Sequence, residues 1–331
     1  MRIFDFLKKF RNKKTDKQGA YFNHSNTSSF SSAAKPMNNV ETFKDTLRRI
    51  ELDPLLSSRT EHSVQGTVLI FPHTFSEKTP ISKDTKVLVK EATTLQATRE
   101  LCRKYHRVAL LNFANPIEPG GGVWRGANAQ EESLCRAGSL YPCLANEETR
   151  EYYRRHQKMR GYESVFWGTD CLLYSPDVTF FKEEVPLFSQ DDILQYELRY
   201  SSNWFTADVI TCAAPYFSNQ ASSFPHEELS DVLIGRIQNI LESAIDHDIE
   251  ALVLGAFGCG AFHNPPMIVA DAFRSVLLQP RYRNAFDEIW FAVKRTAPFF
   301  CPNIEAFETK LSAFPEENLI SEERNKRRFF E

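Results

Sequence analysis

The sequence predicts an α/β fold whose central sheet is covered on both faces by helices. Strand-like and amphipathic helical segments alternate along the chain. Several strand segments are apolar throughout instead of alternating, as strands buried on both faces are. The chain has 331 residues, 42% of them hydrophobic and 13% aromatic, enough for a sizeable core.

The elements follow in order. Periodicity predicts a helix over 40–50, then strands over 67–71 and 86–89. A helix over 94–105 precedes a buried strand over 107–113. Helices over 131–144 and 147–159 come next, then strands over 170–174 and 178–181. An apolar strand at 207–213 leads into a long amphipathic helix at 226–245. A buried strand at 251–256, a helix at 266–278 opened by Pro265 and Pro266, and a strand at 288–293 complete the alternation. Four regions result: a tail over 1–36, a helical extension over 37–65, the main globular domain over 66–315, and a charged tail over 316–331.

The first tail is basic, then rich in Ser and Asn. Residues 1–18 hold seven Lys/Arg against two Asp. Such a stretch buries too little apolar area to offset its ordering entropy and reads as a solvated tail. Ile3, Phe4, Phe6, Leu7 and Phe10 have the spacing of a short amphipathic helix. The second reading of the tail is therefore a membrane-surface or targeting element. The formal net charge of −3 supplies no drive toward nucleic acid, and no nucleic-acid partner is expected. Seven scattered cysteines without a CxxC pair point to the cytoplasm or another reducing compartment, with delivery into another cell left open. Neither they nor the eight histidines show metal-ligand spacing, so no metal and no cofactor is expected.

Three features fall at the carboxyl ends of expected strands, where open α/β sheets bind ligands. Asn112, Phe113, Ala114, Asn115 and Pro116 lead to the triplet Gly120, Gly121 and Gly122. Ala213, Ala214, Pro215 and Tyr216 end the second strand. Gly258, Cys259, Gly260, Ala261 and Phe262 follow the third. Glycine loops let backbone N–H groups face an anion, so two of them on neighbouring strands suit a diphosphate. They fit neither a Walker A loop nor GxGxxG, and each alone reads more readily as a tight turn than as a ligand cradle. Glu131 and Glu132 open a helix. Adjacent helical residues point about 100° apart, so the two carboxyls are not expected to share a proton. They can serve as a ribose-holding group and a proton donor, or merely stabilise the helix N-terminus. Cys259 reads as a small packed residue and His263 as a loop residue. Phe257 and Phe262 are candidates to face a ribose or base.

The run Leu111, Asn112, Phe113, Ala114, Asn115, Pro116, then Gly120, Gly121, Gly122, seven residues, then Gln130, Glu131, Glu132 resembles the signature of poly(ADP-ribose) glycohydrolases of the microbial type. The resemblance covers about residues 40–295. It implies a three-layer α/β/α macrodomain with a central mixed sheet plus an N-terminal helical extension. It also implies a glycosidase that hydrolyses the glycosidic bond of ADP-ribose, in poly(ADP-ribose) or in mono-ADP-ribosylated protein. By the same resemblance Glu132 is the general acid and Glu131 positions ribose hydroxyls. Asn115 contacts the distal ribose, and Phe262 lies beside it. The two glycine loops, Gly120 to Val123 and Gly258 to Phe262, grip the diphosphate, with Asn112 and Gln130 completing the site. Departures occur at Arg136-Ala137-Gly138-Ser139, at Tyr216 where an Asn is usual, and at Lys294-Arg295 where an acid is usual. The 181–204 insertion is a candidate for specificity. The alternatives are a non-catalytic ADP-ribose reader, which would need the loops but neither glutamate, and a nucleotide-binding interaction protein.

Overall fold

The computed structural model describes residues 37–72, 76–80, 83–160, 165–186, 194–217, 226–295, 301–312 and 314. The basic N-terminal tail and the charged C-terminal tail lie outside the described residues. The chain order is α1 (Asn39–Leu52), α2 (Pro54–Gln65), β1 (Val68–Ile70), β2 (Lys86–Lys90), α3 (Thr94–Leu101), β3 (Val108–Phe113), α4 (Gln130–Ala137), α5 (Leu140–Leu144) and α6 (Arg150–Met159). Then come β4 (Val165–Phe166), β5 (Leu172–Phe180), β6 (Lys182–Pro186), β7 (Leu194–Leu198), β8 (Phe205–Cys212), β9 (Tyr216–Phe217), α7 (His226–Asp246), β10 (Ala251–Gly255), α8 (Pro266–Leu277), β11 (Glu288–Ala292) and α9 (Pro302–Leu311).

Seven strands form one mixed sheet in the order β1-β5-β8-β3-β10-β11-β2. β8, β3, β10, β11 and β2 are mutually parallel, and β5 is antiparallel to both β1 and β8. The apolar runs explain the burial. Ala109, Leu111, Leu252, Leu254, Ile289 and Phe291 enter one core with α7, α8 and α9. Their neighbours Val108, Leu110, Ala251, Val253 and Trp290 enter the other with α3, α4 and α5. This period of two on both faces makes the sheet the middle of three layers.

Several expected boundaries shift for local reasons. The helix expected over 131–144 breaks at Gly138, where a Cβ would stand 2.6 Å from the Thr179 carbonyl oxygen. The two strands expected around Pro176 are one strand, β5, whose register slips between Ser175 and Val178. Within 181–204, β6 and β7 pair as a separate two-stranded ribbon, with Glu184 opposite Tyr196.

The helical extension belongs to the core instead of sitting beside it. Asn38 and Glu41 cap α1 reciprocally. Asn39 Nδ2 donates to the Gly126 carbonyl, and Thr46 Oγ1 donates to the Arg136 carbonyl at the end of α4. Lys182, buried at the start of β6, donates to Asp45 and to Thr46 Oγ1, each at 2.8 Å. Phe43 is fully buried, with its ring edge-on to Trp124 (4.9 Å) and Tyr141 (5.0 Å). Trp124 stands two residues after the glycine triplet, so α1 braces that loop. Phe43→Ala is expected to cost about 3–5 kcal/mol of unfolding free energy in urea melts. A loss under about 1 kcal/mol would show that α1 docks without structural consequence.

Candidate active site

A cleft of about 470 Å³ opens over the carboxyl ends of the parallel strands. Its chemistry centres on the first turn of α4. Gln130 fastens that turn to β3 as a strand neighbour would: its Oε1 accepts from the Phe113 N–H (2.9 Å) and its Nε2 donates to the Leu111 carbonyl (2.8 Å). The next two residues are glutamates, 2% and 6% exposed.

Glu131 Oε2 accepts from the Asn115 N–H at 2.8 Å, and Oε1 accepts from Asn112 Nδ2 at 3.3 Å. Burial pushes this carboxyl up from its ordinary value of 4.5 to about 8, and the charge of Glu132 adds to the rise. The backbone N–H groups of Asn115 and Gly120 and the Asn112 amide oppose it. Glu132 Oε1 accepts from the Gly122 N–H at 2.7 Å. Its Oε2 is buried and is reached by no donor among the described residues. Both carboxyls close over Gly121: a Cβ there would stand 2.5 Å from Glu132 Oε1 and 3.1 Å from Glu131 Oε2. Gly121 also has φ of +56°, a conformation that side chains rarely adopt.

The other wall is the loop after β10. Gly258 has φ of +74°, and a Cβ there would meet Asn264 Nδ2 at 2.1 Å. Asn264 is buried and donates to the Pro215 carbonyl at 2.9 Å, tying this loop to the end of β8. Arg236 of α7, 1% exposed, holds the Ala213 carbonyl at 2.7 Å from below. The N–H groups of Gly260 and Ala261 have no backbone acceptor among the described residues, and both residues line the cleft. Phe262 lies edge-on to Tyr216, with ring centroids 5.8 Å apart.

A family model described as the microbial-type poly(ADP-ribose) glycohydrolase catalytic domain matches residues 48–183. The solved structure of poly(ADP-ribose) glycohydrolase from Thermomonospora curvata, bound to the inhibitor ADP-HPD, matches with a TM-score of 0.67. It is 31% identical, over 82% of this chain and 98% of that one. The enzyme from Deinococcus radiodurans in complex with ADP-ribose matches with a TM-score of 0.62 at 31% identity, over 76% of this chain and 96% of that one. Among curated proteins, none matches the chain in sequence.

The chain belongs to the microbial-type poly(ADP-ribose) glycohydrolase family. As a member of that glycosidase family it has the expected α/β architecture with a central mixed sheet. Among the expected site residues of this glycohydrolase, Asn115, Gln130, Glu131, Glu132, Gly258, Gly260, Ala261 and Phe262 line one cleft. Asn112 and Val123 are fully buried behind it.

Three expectations need correction. The triplet Gly120 to Gly122 was read as a second diphosphate cradle, with Val123 closing it. Two of its N–H groups are already committed: Gly122 to Glu132 and Gly121 to the Glu118 carbonyl. The loop holds carboxylates. Phe257 is fully buried against Phe113 and faces neither ribose nor base. Cys259, counted in the diphosphate loop, is absent from the cleft wall; its side chain packs on the core, in line with its reading as a small packed residue, and burial pushes the thiol up. The sequence reading missed Asn264, Glu184 and Asn303. Asn264 had one visible signal, its place between the glycine loop and the Pro265-Pro266 helix start.

The raised Glu131 carries a stability consequence. The folded chain holds this proton more tightly than the unfolded chain, so its contribution is full below pH 4.5 and is lost as pH rises through about 8. Glu131→Gln removes that loss. The variant is expected to melt about 5 °C or more above wild type at pH 9, with the gap closing near pH 4.5. Parallel melting curves at all pH values would contradict the assignment.

Proposed function

We propose that the protein hydrolyses the ribose–ribose glycosidic bond of poly(ADP-ribose), with Glu132 as the general acid and base and Glu131 as the holder of ribose hydroxyls. One observation carries the reading: Glu132 is held by one oxygen on the Gly122 N–H, while the other is buried at the cleft without a hydrogen-bond partner among the described residues. A carboxyl fixed in this way presents Oε2 to a glycosidic oxygen. Burial pushes the adjacent Glu131 carboxyl up, so Glu131 keeps its proton at neutral pH beside Glu132.

The steps follow from that placement. The diphosphate lies on the N–H groups of Gly260 and Ala261, and the ribose to be cleaved lies between Phe262 and the glutamates. Glu132 gives its proton to the leaving oxygen as the C–O bond breaks. The negative carboxylate left behind stabilises the oxocarbenium-like ribose. It then takes a proton from a water that attacks the anomeric carbon, which regenerates the acid. The relatives solved with ADP-ribose and with ADP-HPD support ADP-ribose as the recognised unit. A reader would need only the Gly258 loop and gains nothing from two buried carboxyls.

Glu132→Gln keeps the shape and the bond to Gly122 but has no proton to give. Turnover of poly(ADP-ribose) is expected to fall at least about 10³-fold, while the Kd for ADP-ribose changes less than about threefold. Wild-type turnover by this variant would remove the catalytic assignment. Faster release from proteins mono-modified on Arg, Ser or Glu than from polymer would move the substrate assignment to mono-ADP-ribose.

A further inference from the structure

The chain carries a net charge of −3, yet one exposed helix face is basic. From Arg150 to Arg160, α6 and its cap hold five Lys/Arg against one acid, Glu151. Tyr152, Tyr153 and His156 take the inner face and are buried. The outer face shows Arg150, Arg154 and Lys158, four residues apart, which stack as one stripe about 12 Å long. Arg150 is paired with Glu147, and Arg154 loosely with Glu151 at 3.8 Å. Lys158 and Arg160 are exposed and form no ion pair among the described residues. A helix C-terminus favours a cation in its last turn; it does not call for a stripe along the whole helix.

The stripe stands where the cleft ends. Gln157, between Arg154 and Lys158 in sequence, donates to the Ile117 carbonyl at 3.3 Å. Ile117 is two residues past Asn115, which lines the cleft and holds Glu131 through its N–H. On the inner face, Tyr152 and Tyr153 lie close enough to Glu131 to feel its charge. α6 therefore borders the glutamates. It does so on the side away from the diphosphate loop: His156 meets Thr169 Oγ1 at 3.2 Å just before β5, and the sheet runs β5-β8-β3-β10. Glu118, an acid beside Ile117, is paired with Arg125 at 2.7 Å, which offsets its repulsion of an anion.

The ADP-ribose unit to be released extends from Glu132 to the loop after β10. Whatever is joined to its anomeric carbon leaves past Glu132 in the opposite direction, over β8 and β5. In poly(ADP-ribose) that is the rest of the polymer, with a diphosphate in every unit. We propose that the Arg154–Lys158 stripe of α6 binds the diphosphates of the departing polymer; this rests on the poly(ADP-ribose) reading above. A flexible polyanion needs neighbouring cations and no pocket. The stripe gathers chain ends near Glu132 and favours a long chain over a single ADP-ribose unit on a side chain.

The test compares two substrates with the full chain. One is poly(ADP-ribose); the other is ADP-ribose joined at its anomeric carbon to an uncharged aryl group, which brings no anion to α6. The variant is Arg154→Glu with Lys158→Glu, both outside the cleft lining. Its kcat/KM for polymer ends is expected to fall about tenfold or more at about 50 mM salt, while that for the aryl substrate stays within about twofold of wild type. The log–log slope of polymer kcat/KM against salt should be shallower by about one in the variant. Arg154→Gln with Lys158→Gln adds no acid to the helix and should show the same selective loss, smaller in size, if the first variant does not fold. An equal loss on both substrates, or an unchanged polymer rate, overturns the proposal. Tighter binding of single-stranded DNA than of polymer by the Glu132→Gln variant also overturns it and assigns the stripe to nucleic acid. Turnover of the aryl substrate with none of the polymer in wild type overturns the substrate reading on which the proposal rests.

Discussion

The hydrogen bond from the Gly122 N–H to Glu132 Oε1 is the constraint around which the site is arranged. A carboxyl at a helix start ordinarily turns outward to water or folds back on the helix N–H groups. Here the glycine triplet crosses over the start of α4 and supplies the donor from outside. It can do so because Gly120 and Gly121 adopt positive φ and Gly121 presents no Cβ to the glutamates. One oxygen is thereby immobilised, and the other is left for a ligand. Pre-set orientation of this kind is what general acid catalysis draws on, since the proton must travel to a defined atom.

Much of the surrounding structure serves to hold that contact. Gln130 fixes the height of α4 against β3, and Asn112 and the Asn115 N–H set Glu131 beside Glu132. α1 closes the loop from outside through Phe43 and the Asn39–Gly126 bond. The N-terminal helices are thus part of the site's support, although none of their residues line the cleft. On the far wall, Asn264 and Arg236 hold the loops after β10 and β8.

The alternation of elements was legible because the parallel strands are apolar on both faces. Leu252, Val253 and Leu254 could be read as a buried strand before any coordinates, and so could the signature from Asn112 to Glu132. The convergence of Glu131 and Glu132 was not legible. Helical geometry alone sends adjacent side chains apart, and it is the loop above them, distant by only ten residues, that draws both over Gly121. The commitment of the triplet's N–H groups was hidden for the same reason, since a glycine loop in sequence does not say which acceptor it meets. The β6–β7 ribbon was missed because its strands are short, charged and without clean alternation. Nothing in the run Lys182-Glu183-Glu184 marks Glu184 as buried; it lies opposite Tyr196 of β7 and is 5% exposed.

The central claim is that this constrained carboxyl breaks a glycosidic bond by adding water at the anomeric carbon. The most direct measurement is digestion of poly(ADP-ribose) by the full chain in ¹⁸O-labelled water, with mass analysis of the products. The account predicts free ADP-ribose carrying a single ¹⁸O on its anomeric carbon. Phosphoribosyl-AMP, which would mean cleavage of the diphosphate, or intact polymer would contradict it.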